Sequence, residues 1–130
     1  MLIPEHKSVT EAIAAHPTQD CRAVSAVLSR VGDKWAILVI VLLGDGPRRF
    51  NEIKRLIGGI SQRMLTLTLR ALERDGMVKR TVFPTVPPRV DYELTALGCS
   101  LRQAVEALLC WSKDHIGDIA QAQAQFDERN

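Results

Sequence analysis

"GGISQRMLTLTLRALERDGMVKR", residues 58–80, decides how this chain is read. Two glycines lead into Ser61, apolar and cationic residues then alternate, and a third glycine closes the run. The spacing predicts a helix over 61–75. At about 100° per residue, Met64, Leu65, Leu67, Leu69, Ala71 and Leu72 fall on one broad arc, and Gln62, Arg63, Thr66, Arg70, Glu73 and Arg74 fall on the other. Ser61 is placed to cap the helix N-terminus. One side is suited to a core, and the other presents amide, guanidinium and hydroxyl groups outward.

Those outward groups suit DNA. Arginine donates two hydrogen bonds to a guanine edge, and glutamine pairs with adenine in the same two-point way. A capping serine and the free N–H groups of a first turn suit a phosphate oxygen, helped by the positive end of the helix dipole. Upstream, "GPRRFNEIKRLIGGI" (46–60) predicts a short helix with Phe50, Ile53, Leu56 and Ile57 on one face, ended by a tight Gly58–Gly59 turn. Downstream, "MVKRTVFP" and "RVDYELT" alternate apolar and polar residues as half-buried strands do, and the "TVPP" between them (85–88) is too proline-rich to extend a ladder. Short helix, glycine turn, polar-started helix and basic hairpin, in that order, describe a helix-turn-helix followed by a wing. The helix alone would be an ordinary amphipathic surface helix; the ordered set is the specific signal.

The flanks read as further helices. "SVTEAIAAH" (8–16) carries a capping box in Ser8 and Glu11 and ends before Pro17. "DCRAVSAVLSRVG" (20–32) has Asp20 as N-cap, Val24, Val27, Leu28 and Val31 at helical spacing, and Gly32 as its stop. "DKWAILVIVLLGDG" is read as a helix apolar on all sides, because Asp33 caps it and Gly44 follows it. Thr95 caps a long final helix with Leu97, Leu101, Val105, Leu108 and Ile116 on one stripe. The expected fold class is α+β, mostly α: a winged helix-turn-helix domain with a two-stranded β-hairpin wing and flanking N- and C-terminal helices.

Charge is distributed unevenly. Net charge is +2 overall, but residues 48–89 carry net +7, against −1 for 1–47 and −4 for 90–130. A cationic middle between acidic ends is expected of a polyanion-binding centre; the bland alternative is a solvated face whose charges pair locally. No basic stretch followed by an apolar run opens the chain. The longest apolar run, Trp35–Leu43, is nine residues, short of the roughly 20 a bilayer needs. A soluble, cytoplasmic protein without a membrane partner is expected. Cysteines stand at 21, 99 and 110 without metal-ligand or CxxC spacing. Cys99 and Cys110 on one helix would lie about 16 Å apart, beyond disulfide reach. His6, His16 and His115 are scattered, so neither catalysis nor a metal or other cofactor is expected.

The chain resembles the HxlR family of bacterial transcriptional regulators, winged helix-turn-helix proteins allied to the MarR group. The resemblance covers about residues 20–115 and rests on "GDKW" (32–35), "GPRRFNEIKRLIGGISQRMLT" (46–66), "LERDGMV" (72–78), "PTVPPRVDYELTALG" (84–98) and the Trp111–His115 stretch, in that order. It implies a homodimer joined by N- and C-terminal helices, with two recognition helices on inverted-repeat double-stranded DNA. On that scheme residues 1–130 form one domain: an N-terminal dimerisation segment (8–19), a DNA-binding core (20–95) and C-terminal dimerisation helices (96–126).

Site roles follow as expectations. Gln62, Arg63 and Thr66 are base-edge candidates, with Ser61 and Arg70 nearer the backbone. Arg49 and Lys54 are phosphate anchors, and Arg89 sits at the wing, suited to a minor groove or a flanking phosphate. Arg74, Lys79 and Arg80 remain open between DNA contact and local pairing with Glu73 or Asp75. The resemblance also implies sensing of oxidants or electrophiles by a cysteine at the place of Cys21, which stands at a helix start beside Arg22; the family commonly has proline where this chain has Arg22. Cys99 and Cys110 are read as packing residues. The expected function is a DNA-binding regulator, a repressor, released by an oxidant or small-molecule inducer. Two other readings stand beside it. One is a winged-helix interaction module, against which the basic middle argues because protein interface cores tend to lose charge. The other is a thiol enzyme built on Cys21, which lacks a base and a pocket motif.

Overall fold

The computed structural model describes residues 19–129, with side chains from Cys21 onward. The helix expected over 8–16 lies outside the described residues. The chain divides into two compact units, 1–37 and 38–130.

In the first unit, helix α1 spans Gln19–Val31. Asp20 sits inside this helix rather than capping it. Aspartate costs a helix less than about 1 kcal/mol, which the apolar spacing downstream outweighs. Val24 is half-buried, whereas Val27 and Leu28 are exposed. Asp33 then caps α2, its Oδ1 accepting the Trp35 N–H at 3.1 Å.

Helix α2 runs over Lys34–Leu43, so the continuous apolar stretch is a helix and not a strand. It is not buried on all sides as expected. Ala36, Val39, Ile40 and Leu43, spaced as one helical stripe, are buried, while Leu38 is 38% exposed.

The second unit continues with strand β1 (Arg48–Arg49), helix α3 (Phe50–Ile57), helix α4 (Gln62–Arg74), strands β2 (Val78–Phe83) and β3 (Arg89–Leu94), and helix α5 (Ala96–Arg129). The expected two-stranded hairpin forms from β2 and β3, and β1 adds a third antiparallel strand, in the order β1-β3-β2. Arg48 and Arg49 pair with Tyr92 and Asp91. Two residues are too few for alternation to show in a sequence. β2 and β3 pair from Val78 against Leu94 to Phe83 against Arg89. The core of this unit contains Ile53 from α3, Ile60 from the turn, Leu65, Leu69 and Leu72 from α4, Val78 from β2 and Val105 from α5. Leu56, expected on the buried face of α3, is 49% exposed.

Two features join the helix-turn-helix to α5. Helix α4 ends in a Schellman arrangement: Met77 N–H donates to Leu72 O at 2.9 Å and Gly76 N–H to Glu73 O at 3.0 Å, with Gly76 at φ 78°. Thr95 then ties that end to α5. Its hydroxyl donates to Gly76 O at 2.6 Å and accepts the Gly98 N–H at 3.1 Å. Gly98 lies so close to the Met77 carbonyl that a Cβ would collide with it.

Helix α5 is the long final helix expected after Thr95, continuous over 34 residues and about 51 Å long. Among its side chains Val105 is buried, but Leu97, Leu108, Trp111, Ile116, Ile119 and Phe126 are exposed. Cys99 and Cys110 are exposed too, not packed as expected; they lie about 120° around the helix from Gly98 and Val105. No helix among the described residues is long and apolar enough to cross a membrane.

Two glycines in α5 should respond in opposite directions. Gly98→Ala is expected to cost about 1–3 kcal/mol through overpacking against the Met77 carbonyl. Gly117→Ala meets nothing within 4 Å and should stabilise by about 0.5–1 kcal/mol. Urea midpoints of the two variants check this.

Candidate nucleic-acid interface

The site begins at the turn. Gly58 and Gly59 have φ of 69° and 77°, in the left-handed region that side chains disfavour. The turn lets Ile60 enter the core while Ser61 stays outside. Ser61 Oγ then accepts the Met64 N–H at 3.0 Å, the cap expected from sequence. Its own hydroxyl hydrogen remains available to donate.

Helix α4 is fixed by Leu65, Thr68, Leu69 and Leu72, which are buried. Each leucine removed from water contributes about 1.5–3 kcal/mol. The buried arc is narrower than the sequence suggested: Met64 is 40% and Leu67 50% exposed. Periodicity gives the centre of an arc, whereas its width depends on what packs there.

The opposite side carries the expected polar set. Ser61, Gln62, Arg63, Thr66 and Arg70 are all exposed. Arg63 and Arg70, with Arg74, Lys79 and Arg80, form no side-chain hydrogen bond or ion pair with the described residues. Local pairing with Glu73 is therefore not realised. Thr66 donates its hydroxyl to Gln62 O at 2.9 Å, leaving its lone pairs and methyl group to the exterior.

Other predicted residues are placed less freely. Arg49 occupies the N-cap position of α3, where its N–H donates to Glu52 Oε1 at 3.4 Å. Lys54 is half-buried on α3. Arg89 donates through both arms to Asp91, at 3.2 and 3.1 Å, and lies over the Phe83 ring at 4.5 Å. Its charge is thus partly offset and its direction fixed. Arg48 is structural: it donates to Glu52 at 3.0 Å and to Leu42 O at 3.3 Å.

The structure adds Arg55 and Tyr92, which the sequence did not single out, and gives a place to Arg80, left open above between DNA contact and local pairing. Arg55 joins Arg49, Phe50, Arg89 and the Thr85–Pro88 loop around a groove of about 700 Å³. Arg80 and Tyr92 join Thr66, Arg70 and Glu73 around a second cleft of about 290 Å³. Strand parity held a signal for Arg80, which shares its sheet face with the buried Val78.

Cys21 stands in α1, half-buried and with a free thiol. It belongs to the first compact unit, and the α4 site to the second.

A shorter helix, a left-handed glycine turn, a capped helix whose guanidiniums have no ion-pair partner among the described residues, and a β-hairpin after it define a winged helix-turn-helix protein, a DNA-binding class. Residues 30–120 match the HxlR-like helix-turn-helix family, and the chain belongs to it. It is 41% identical over 103 residues to the HTH-type transcriptional regulator YtfH of Escherichia coli K12, covering 79% of each chain. Among solved structures it is similar to YtfH of Salmonella typhimurium, a transcriptional regulator by its name: TM-score 0.73, 38% identity, 78% of this chain and 90% of that one. The redox regulator HypR in its reduced form matches with TM-score 0.71 and 39% identity over 76% of this chain and 98% of that one. The chain is accordingly a helix-turn-helix transcriptional regulator.

Proposed function

We propose that this protein is a cytoplasmic repressor that binds inverted-repeat DNA as a homodimer, with α4 of each subunit in a major groove. The observation that carries this reading is the exposed arginine face of α4, without ion-pair partners among the described residues, beside a buried apolar anchor. Unpaired guanidiniums on a short, firmly seated helix are what base-edge recognition requires, because arginine reads guanine only from a fixed position. Gln62, Arg63 and Thr66 serve as base contacts. Ser61 and Arg70 hold the flanking backbone, and Arg49 and Lys54 anchor phosphates. Arg89 serves the wing as a preset contact.

The exposed stripe on α5 supports the dimer. From Leu108, positions 112, 115, 119, 122 and 126 follow at alternating steps of four and three, a heptad seam containing Ile119, Ala122 and Phe126. Val27 and Leu28 on α1 are likewise exposed. A second copy of the chain would bury these surfaces, with residues 8–19 and 96–126 as the dimerisation segments around a core of 20–95. Two α4 helices would then meet half-sites about 34 Å apart.

Cys21 supplies the switch in this reading. Its thiol is free and half-buried in α1, and HypR, a redox regulator, is a structural neighbour. Oxidation of a sulfur beside a dimer contact would change how the subunits set their α4 helices.

Three measurements follow. Arg63→Ala should weaken binding to a selected duplex by about 1–3 kcal/mol and relax its sequence preference; wild-type affinity for selected and scrambled duplexes alike would sink the assignment. In sedimentation equilibrium the wild-type chain should be dimeric, and Ile119→Asp with Phe126→Asp should shift it toward monomer. Diamide should release wild-type protein from DNA in a gel-shift assay and leave Cys21→Ser bound.

A further inference from the structure

The cleft behind α4 has a composition that the base-reading face does not account for. Its α4 wall consists of Thr66, Arg70 and Glu73, spaced to share one helix face, and its sheet wall consists of Arg80 and Tyr92. The register explains how the sheet wall forms. Arg80 pairs with Tyr92, and Tyr92 with Arg48, so the three side chains stand in one row on one sheet face. That face also carries Val78, buried in the core with the α4 leucines. Lys79 and Arg89 belong to the opposite face.

Arg48 in this row is tied to Glu52 at 3.0 Å and Asp45 at 3.8 Å. Arg70 and Arg80 have no such partner among the described residues, although Glu73 lines the same cleft. Two guanidiniums and one carboxylate leave the cleft with a single positive charge. A phosphodiester carries a single negative charge, which that positive charge balances, and four oxygens that can accept from the cleft's donors. The phenol of Tyr92 adds a neutral donor.

Position agrees with charge. Arg70 lies seven residues beyond Arg63, about 10 Å along the helix. The major groove is about 12 Å wide, so a duplex whose base edges meet Gln62 and Arg63 brings a strand backbone toward this cleft.

We propose that the cleft between α4 and the sheet seats one backbone phosphodiester of bound DNA, with Arg70 and Arg80 as its charged donors and Tyr92 as a neutral one. This rests on the DNA-binding reading above and adds Arg80 and Tyr92 to the interface. The seat fixes how far α4 enters the groove and carries no sequence preference of its own.

The chain has one tyrosine, so 3-fluorotyrosine labelling gives a single ¹⁹F resonance that reports this cleft. A selected duplex should shift that resonance, and inorganic phosphate at the same concentration should not. Arg80→Ala should reduce the slope of log affinity against log salt by about one, with equal losses on selected and scrambled duplexes. Duplex binding with a motionless resonance, or an Arg80→Ala protein with wild-type affinity and slope, would overturn the seat while leaving the DNA reading intact. A saturable shift with inorganic phosphate and an unchanged DNA slope would overturn it in favour of a free-anion site. Failure of the wild-type dimer to bind any duplex at low salt would instead remove the DNA reading, and the seat with it.

Discussion

The rotation of α4 about its own axis is set by Leu65, Thr68, Leu69 and Leu72, and most of the interface depends on it. A turn of about 100° would carry a leucine into water and a guanidinium toward the core. Burying an unpaired charge is far more costly than exposing an alkyl group. The apolar stripe therefore decides which side chains are displayed, and the polar residues are free to specialise. Ser61 and the Gly58–Gly59 turn fix where the helix starts, so rotation and starting point are set independently.

The far end of α4 is held just as firmly. The Schellman bonds close it, and Thr95 links its terminal carbonyl region to the start of α5. A movement of α5 is thereby coupled to the helix that carries Arg63. The close approach of Gly98 to the Met77 carbonyl leaves little slack in that link.

Local chemistry made much of this legible in the sequence. The paired glycines, Ser61 and the alternation on either side of "TVPP" marked the turn, the cap and the hairpin, because each depends on the conformational habits of one or two residue types. What escaped notice depended on distant contacts. β1 is two residues long and exists only through its pairing with β3. The exposure of Met64 and Leu67, and of Cys99 and Cys110, depends on which neighbours reach them. The cleft at Arg80 and Tyr92 required a register between strands and the placement of α4 over one face of the sheet. The tie of Arg89 to Asp91 also needed the fold to orient both side chains.

That last pair bears on how the wing meets a partner. Arg89 is already forked onto a carboxylate and stacked on the Phe83 ring before anything binds. A long side chain normally surrenders up to about 2 kcal/mol of rotational freedom when it is immobilised, and here much of that loss has been incurred during folding. Lysine would keep the charge but lose both the planar fork and the flat surface that lies against the ring. The start of β3 thus presents a guanidinium whose direction is set by the fold itself.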